Sequence, residues 1–271
     1  MNDKLIIRQS RAALDFTVLH AAPTDCPVSY EPYGVNQGIS MAANLREAFR
    51  SLPLLRERYQ RVMVMIDSPV LLVPVNLYDE NEQETLYYHS FPAHHSPLAA
   101  HHSPVTILAS VVPDLSSVAL YAVNRDLKTV IDDHFPQANY LCAMVPVWRQ
   151  LHQRSFTGVR SKLYGYFHDQ RLDVFSFQQN RFKFHNSFDA SHRADSLYFL
   201  LYVWHQLNLQ QEHDEMHLVG DIPEQQTLLE ELHQYLRRAY VISPSADYNR
   251  SPATQIEGMP YDLMTYIVKG R

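Results

Sequence analysis

The chain has 271 residues, of which 46% are hydrophobic and 19% charged, and 23 basic against 29 acidic side chains give a formal net charge of −6. This much apolar material excludes a disordered polymer and can form a sizeable core, and no run of about 20 apolar residues is present to cross a bilayer. The acidic balance argues against sequence-independent binding of nucleic acid, which needs a basic face.

The first half alternates short β-rich runs with turns before a helical period begins. A helix is predicted after Ser40, a suitable N-cap, and Pro53 is expected to stop it. The continuous apolar run at 62–66 is typical of a parallel strand covered on both faces. Prolines at 69 and 74 place any strand at 69–77 on an edge or break it. Further strands are predicted at 5–9, 14–19, 27–33, 105–111 and 118–123, and helices at 125–134 and 146–154.

Beyond Gly158 the same order of elements returns, with strands predicted at 163–167, 172–177 and 181–186. Ser191 is expected to cap a helix with Ala194, Leu197, Leu201 and Trp204 on its core face. A buried strand is predicted at 216–220. A helix opened by Pro223 and Glu224 follows, and a strand at 240–242 closes the sheet. The inward residues of that helix are predicted to be Leu228, Leu229, Leu232 and Leu236, with Arg237-Arg238 at its end. The last segment, 243–271, is expected to dock back on the body.

The two halves match as an internal repeat. An offset of 158 lays Leu14-Asp15-Phe16 on Leu172-Asp173-Val174 without a gap, and the helix at 41–49 on the one at 199–207. A three-strand meander followed by alternating helix and strand describes a ribonuclease-H-like layer. The predicted fold is therefore α/β, two tandem ribonuclease-H-like (actin-like) layers with mixed five-stranded sheets. The predicted domains are 1–157, with the longer insertions, and 158–271.

Three segments carry a resemblance to a known family. They are Val64-Met65-Ile66-Asp67-Ser68-Pro69 with Leu72-Val73-Pro74, Tyr202-Val203-Trp204-His205-Gln206-Leu207, and Met259-Pro260-Tyr261-Asp262-Leu263-Met264. They resemble an uncharacterised bacterial family without assigned activity, itself similar to a degenerate actin-like ATPase of the pilus-assembly and cell-division type. The resemblance covers nearly the whole chain. It supports the fold and leaves the function open.

In the actin-like ATPases that the chain resembles, the turn between the first two strands of each half wraps the phosphates. Such a turn needs glycines, so that main-chain N–H groups can approach, and a carboxylate. The first turn here, Arg8-Gln9-Ser10-Arg11-Ala12, has neither, and its counterpart carries the bulky Tyr166 and Phe167. The adenosine-side turn keeps one glycine, Gly220.

The chain is therefore predicted to be a pseudo-ATPase without a catalytic residue or a cofactor. Arg8 and Arg11, taken as exposed arginines of a loop, could attract an anion, but such side chains are usually only solvated. The residues that would line a relic phosphate site are Arg8, Ser10, Arg11, His168, Asp169, Gly220 and Asp221.

Other chemistries find less support. A tandem histidine motif could collect a metal ion, but it contains no cysteine and is expected to be a polar surface loop. A nuclease site needs converging carboxylates, whereas Asp15 and Asp173 lie in mid-strand. No Gly-x-Ser-x-Gly elbow occurs. The histidines of the motif are His94, His95, His101 and His102.

Two side-chain clusters point to surfaces. Five arginines are interleaved with Glu47 and Glu57. This pattern is more typical of a solvated basic face at a helix end than of an RNA-binding site. Aromatic residues alternate on both faces of the hairpins of the second half, so both faces are expected to be covered by helices, the other half or a partner. The arginines are Arg46, Arg50, Arg56, Arg58 and Arg61.

The two cysteines, Cys26 and Cys142, are far apart. A disulfide-stapled domain carries more, so free thiols in a reducing compartment are expected. Asp15 and His20 interrupt a stretch that otherwise resembles a lipoprotein signal, and the protein is predicted to be cytoplasmic.

The predicted function is a non-catalytic interaction or scaffold module with an unidentified protein partner, no nucleic acid and no membrane span. The alternative is an ATP-binding protein with a non-standard phosphate site around Arg8, Arg11, Asp169 and Gly220.

Overall fold

The structure is a computed structural model that describes residues 3–21, 27–92, 104–179 and 181–270. The chain divides into two compact units, unit 1 (Met1–Val145) and unit 2 (Pro146–Arg271). The division into functional halves at 157/158 stays a prediction. Among the residues described, none of the helices has both the length and the apolar character needed to cross a membrane.

Unit 1 is built on a mixed five-stranded sheet that opens with an antiparallel meander. Its strands are β1 (Lys4–Gln9), β2 (Leu14–Leu19), β3 (Val28–Tyr33), β4 (Arg61–Ile66) and β8 (Ala138–Cys142), in the order β3-β2-β1-β4-β8. β4 runs parallel to both β1 and β8 and is largely buried, which confirms the parallel strand predicted from its continuous apolar run.

Two helices of unit 1 match the prediction closely. α1 (Met41–Ser51) begins after Ser40, whose Oγ accepts the N–H of Ala43 at 3.2 Å, and it ends just before Pro53. α3 (Arg125–His134) has the predicted bounds. Both helices bury one apolar face, as their spacing of apolar residues requires.

Unit 1 also contains a three-stranded antiparallel sheet. β5 (Val70–Pro74) lies at its edge, as its proline predicts, beside β7 (Ser117–Asn124), with β6 (Val105–Val112) on the far side. The short helix α2 (Gln83–Ser90) packs on it through Tyr87, where only a loop was predicted. α2 was missed because Tyr87 is its only buried residue, and β8 because only its last residue, Cys142, is buried.

Unit 2 repeats the first sheet strand for strand. Its order is β11-β10-β9-β12-β13, formed by β9 (Lys162–His168), β10 (Arg171–Gln178), β11 (Arg181–Asp189), β12 (Glu215–Gly220) and β13 (Ala239–Val241). The meander is antiparallel, and β12 is parallel to β9 and β13. The prediction of two mixed five-stranded sheets is therefore confirmed.

The repeat extends to single hydrogen bonds. At the end of β4 the N–H of Asp67 donates to the carbonyl O of Gln9 at 2.8 Å. At the end of β12 the N–H of Asp221 donates to the carbonyl O of Phe167 at 2.9 Å. Gln9 and Phe167 are related by the sequence offset of 158, so the two sheets end their central parallel pair in the same way.

The prediction for α5 (Arg193–Gln206) was wrong in its cap and in part of its core face. His192 and not Ser191 precedes the helix, and Ala194 is exposed. The helix is apolar on more than one side, so periodicity alone does not determine its rotation. Packing determines it instead, because Gly165 leaves room for Leu200. The buried residues are Ser196, Leu200, Val203 and Trp204, with Leu197 and Leu201 partly buried against the same core.

The remaining helices of this part are α4 (Met144–Ser155), α6 (Gln225–Leu232), α7 (Pro244–Asp247) and α8 (Tyr261–Lys269). α6 ends before the predicted Arg237-Arg238, although Leu236 is buried as predicted, in the turn beyond the helix. α8 buries every residue from Tyr261 to Ile267. The C-terminal segment therefore docks on unit 2, as expected.

The five-stranded sheet of unit 2 is covered on both faces, as the alternating aromatic residues predicted. One face packs against α5 and α6. On the other face, Trp148 of α4 meets the ring of Phe182, with centroids 5.2 Å apart, and Tyr261 of α8 lies 5.8 Å from Tyr166. Helices of unit 2 itself supply this cover.

Gly220 allows the tight end of β12, and replacing it tests that packing. We expect Gly220→Ala to destabilise unit 2 by about 3 kcal/mol. Its φ is +97°, and an added Cβ would lie 2.0 Å from the carbonyl O of Phe167. Urea unfolding followed by tryptophan fluorescence measures the loss, since both tryptophans, Trp148 and Trp204, belong to unit 2.

Gly158→Ala is the matched control. Gly158 has a similar φ of +83°, but nothing lies within 4 Å of an added Cβ. This variant should lose only about 1 kcal/mol, the cost of a left-handed alanine. Equal losses in the two variants would contradict the role of close packing at Gly220.

Candidate functional site

The β1–β2 turn of unit 1 is closed by its own polar groups. The N–H of Ser10 donates to the carbonyl O of Ala13 at 3.0 Å, and the N–H of Ala13 donates to Ser10 Oγ at 3.2 Å. The Ser10 side chain is fully buried, whereas Arg11 at the tip is exposed. Two of the turn's main-chain amides are therefore already used inside the protein.

Arg8 is buried, and the expectation that it is an exposed loop arginine was wrong. It is 2% exposed, and its Nη1 lies 3.2 Å from Asp15 Oδ2, the residue directly opposite on β2. Asp15 Oδ1 also accepts the hydroxyl of Tyr30, on β3, at 2.9 Å. Hydrophobic packing leaves no water to solvate the guanidinium, so the carboxylate across the strand balances its charge.

The corresponding turn of unit 2 is a two-residue hairpin without glycine. His168 and Arg171 form the last pair of β9 and β10, and Asp169 and Gln170 between them have φ values of +45° and +61°. Two positive values in succession define a type I′ turn, in which the second residue is commonly glycine. This turn serves the twist of the hairpin.

A buried carboxylate lies at the centre of the unit 2 meander. Asp173 Oδ2 is 2.5 Å from His168 Nε2, and its Oδ1 is 3.2 Å from His185 Nε2. The Arg171 guanidinium lies 3.7 Å away. Burial alone would raise the pKa of Asp173, but the hydrogen bonds and charges of the two histidines outweigh it and hold the pKa well below its usual range.

His168, expected near a relic phosphate site, is hydrogen-bonded to Asp173 within the meander. Its ring is 4% exposed and stacks on Tyr166, with centroids 4.4 Å apart. The carboxylate of Asp169 is 3.8 Å from the other ring nitrogen. His168 and Asp169 lie beside Gly220 and Asp221, because β9 and β12 are parallel and Phe167 pairs with Gly220. Among the predicted residues of unit 2, these four are brought together at one edge of the sheet.

The two meanders share this polar arrangement, which sequence reasoning recognised only in part. Asp15 and Asp173 were matched by the offset, but the donors on the third strands were missed. Tyr30 pairs with Thr17, two residues beyond Asp15, and His185 pairs with Phe175, two residues beyond Asp173. The signal was a polar side chain on each third strand, which becomes informative only once the register is known.

Packing explains both glycines in the five-stranded sheet of unit 2, Gly165 in the middle of β9 and Gly220 at the end of β12. A Cβ at Gly165 would meet side-chain carbons of Leu218, Leu200 and Leu172 at 3.0 to 3.2 Å, all in the core under α5. Gly220 is needed for the close approach to Phe167. Close packing therefore accounts for both glycines.

The histidines of the tandem motif, His94, His95, His101 and His102, lie outside the described residues, and so does Cys26. Cys142 is buried at the end of β8 and forms no disulfide among the described residues.

Two mixed five-stranded sheets of this strand order define an actin-like fold. A solved protein from Bacteroides thetaiotaomicron, described as having an actin-like ATPase fold and unknown function, is similar with a TM-score of 0.77 and 24% identity. The match covers 94% of this chain and 96% of that one. At this identity the likeness shows the fold alone, and it confirms the predicted fold.

The chain belongs to the family described as "Protein of unknown function (DUF3822)", whose family model matches residues 1–239. The predicted resemblance to a family without assigned activity is thereby confirmed. A comparison with curated proteins gives no match.

Looser structural likenesses exist as well. The PilM–PilN type IV pilus biogenesis complex is 11% identical, covering 98% of this chain and 94% of that one, with a TM-score of 0.49. The cytoplasmic domain of EpsL from Vibrio cholerae is 12% identical, covering 82% and 84%, with a TM-score of 0.43. These low scores support no argument about function.

Asp173→Asn tests the buried carboxylate. We expect a loss of about 3 kcal/mol at pH 7, because the two histidines lose their charged partner. The pKa of Asp173 is lowered in the fold, so its stabilisation is present above the unfolded pKa of about 4 and is lost as pH falls towards the folded pKa. In urea unfolding, the contribution of Asp173 to the stability of unit 2 should be constant between about pH 7 and 5, and below about pH 5 the stability should fall more steeply in the wild type than in the variant.

Asp195→Asn removes the same charge from an exposed position of α5 and should keep the wild-type stability and pH profile. An unchanged profile in Asp173→Asn would show that this carboxylate does not carry the acid sensitivity.

Proposed function

We propose that this chain is a non-catalytic interaction or scaffold module that keeps an actin-like fold without ATP chemistry. The observation that carries the proposal is the closure of both hairpin turns by groups of the chain itself. Ser10 bonds across the first turn, and Asp169 and Gln170 form a tight hairpin in the second. A phosphate-wrapping turn instead keeps several amides open towards the ligand.

The charges near the turns support the same proposal. Arg8 is paired with Asp15, and His168 with Asp173, so a basic side chain of the strand before each turn already has a buried carboxylate as partner. Arg11 remains as an exposed arginine at the first tip. A single solvated arginine contributes little to holding a triphosphate.

The retained cores support a role that depends on shape and surface. Both units bury continuous apolar clusters, and the buried carboxylate of each meander, Asp15 or Asp173, accepts hydrogen bonds from specific partners. Such a fold can present surfaces to another protein without turning over a ligand. We further propose that the protein is bacterial and cytoplasmic, that it binds a protein partner and that it does not bind nucleic acid.

A titration with ATP and Mg²⁺ tests the absence of nucleotide binding. We expect no change in melting temperature, whereas a ligand at 100 times its dissociation constant would add about 2.7 kcal/mol to the stability. A clear upward shift that Arg11→Ala abolishes would overturn the proposal in favour of a nucleotide-binding protein with a non-standard phosphate site.

Affinity capture from native lysate tests the interaction role. We expect one specific partner to be recovered over a range of salt concentrations, in equal amount with and without ATP and Mg²⁺. Failure to recover any specific partner, or recovery that requires the nucleotide, would contradict a nucleotide-independent scaffold.

A further inference from the structure

A cavity of about 510 Å³ lies in unit 1 at the edge of the sheet where β4 and β8 begin. Its walls are the loop from Arg56 to Gln60, which leads into β4, and the loop from His134 to Gln137, which leads from α3 into β8. The carboxyl ends of the parallel strands, with the hairpin turn discussed above, lie at the opposite edge. The cavity is therefore separate from the candidate functional site.

Aromatic rings form one side of this cavity. Phe49 stacks on His134, with centroids 4.0 Å apart, and Phe135 meets Phe49 edge-on at 5.8 Å. Tyr59 fixes its hydroxyl on the carbonyl O of Leu54 at 2.5 Å, and burial raises the pKa of Tyr59 to about 12. The Tyr59 phenol therefore brings no negative charge at neutral pH. The rings of Tyr59, His134 and Phe135 line the cavity and offer a flat wall to a ligand, whereas Phe49 packs against His134 and Phe135 from outside the lining.

The charge around the cavity is opposite to that of the chain. Residues 46–61 hold five arginines and two glutamates, a net charge of +3, in a chain whose net charge is −6. The cavity itself is lined by Arg56, Arg58 and Glu57, which leaves one positive charge in excess.

The arginines of the lining differ in what they already bind. Arg56 donates to the carbonyl O of Arg50 near the end of α1, and His134 Nε2 donates to the carbonyl O of Leu55 at 3.0 Å. Arg56 therefore stabilises the negative end of α1, and His134, in the last turn of α3, ties that helix to the loop before β4. Arg58 is exposed, and among the residues that the structure describes it has no hydrogen bond or ion pair. Its guanidinium is available for a ligand.

We propose that this cavity is a binding site for a small aromatic anion, a molecule with one phosphate or carboxylate group on a flat ring. Arg58 binds the anionic group, in the paired geometry that a guanidinium offers to two oxygens, and Arg56 adds a second positive charge. The ring packs against Phe135 and Tyr59. The volume lies within the range of small-molecule sites.

Titration with phenyl phosphate, followed by amide chemical shifts in NMR, tests this site. We expect saturable shifts at residues 56–62 and at His134, Phe135 and Gln137, and weaker binding of inorganic phosphate and of phenol, which lack the ring and the charge respectively. Arg58→Gln should weaken phenyl phosphate binding about tenfold, the loss of one charge-assisted interaction.

Arg46→Gln is the matched control, because it removes the same charge from an exposed position of α1 outside the cavity. It should change the affinity less than about twofold, since screened surface charges contribute little. No saturable shift at the cavity, an equal loss in both variants, or binding of inorganic phosphate as tight as that of phenyl phosphate would overturn the proposal. Amide spectra of both variants in the free state show that the fold is kept.

Discussion

A buried carboxylate on the second strand of each meander holds the three antiparallel strands of each sheet in register. Asp15 binds Arg8 and Tyr30, and Asp173 binds His168 and His185. A buried charge without partners costs several kcal/mol, so each carboxylate requires donors from both neighbouring strands at once. A slip of one residue in either pairing would turn those donors to the opposite face. These buried hydrogen-bonded pairs therefore specify the register of the strands as well as contributing to stability.

The same pairs limit what the turns above them can do. In unit 1 Arg8, near the end of β1, is held by Asp15, and in unit 2 His168, next to the turn, is held by Asp173. A side chain held in such a buried pair would have to break the pair before it could bind a ligand from solvent. The local hydrogen bonds of Ser10 and the left-handed pair Asp169 and Gln170 complete the closure. The proposed separation of the fold from ATPase chemistry rests on this contrast, because the sheets depend on buried pairs whereas ATPase chemistry depends on open amides.

Much of this architecture follows from local patterns in the sequence. Strands with continuous apolar runs, the Ser40 cap and the repeat at an offset of 158 predict both sheets and most helices. Prediction failed where the decisive contact is distant in sequence. The rotation of α5 depends on the space at Gly165, and β8 is short and mostly half-buried along its length. For the candidate site, composition shows which turns lack glycine, but the burial of Arg8 depends on the register with Asp15.

The two edges of the first sheet offer different routes to binding an anion. At the carboxyl edge, α/β folds bind anions with main-chain amides at turns and helix starts, which needs particular backbone conformations. At the opposite edge α1 and α3 end, and their dipoles repel an anion, so only side chains can supply the attraction. Arg58 meets that requirement without any change of backbone. Side chains change by single substitutions, whereas an amide-lined turn requires several glycines together. A chain whose turns are closed can therefore still acquire a ligand at the edge where its helices end.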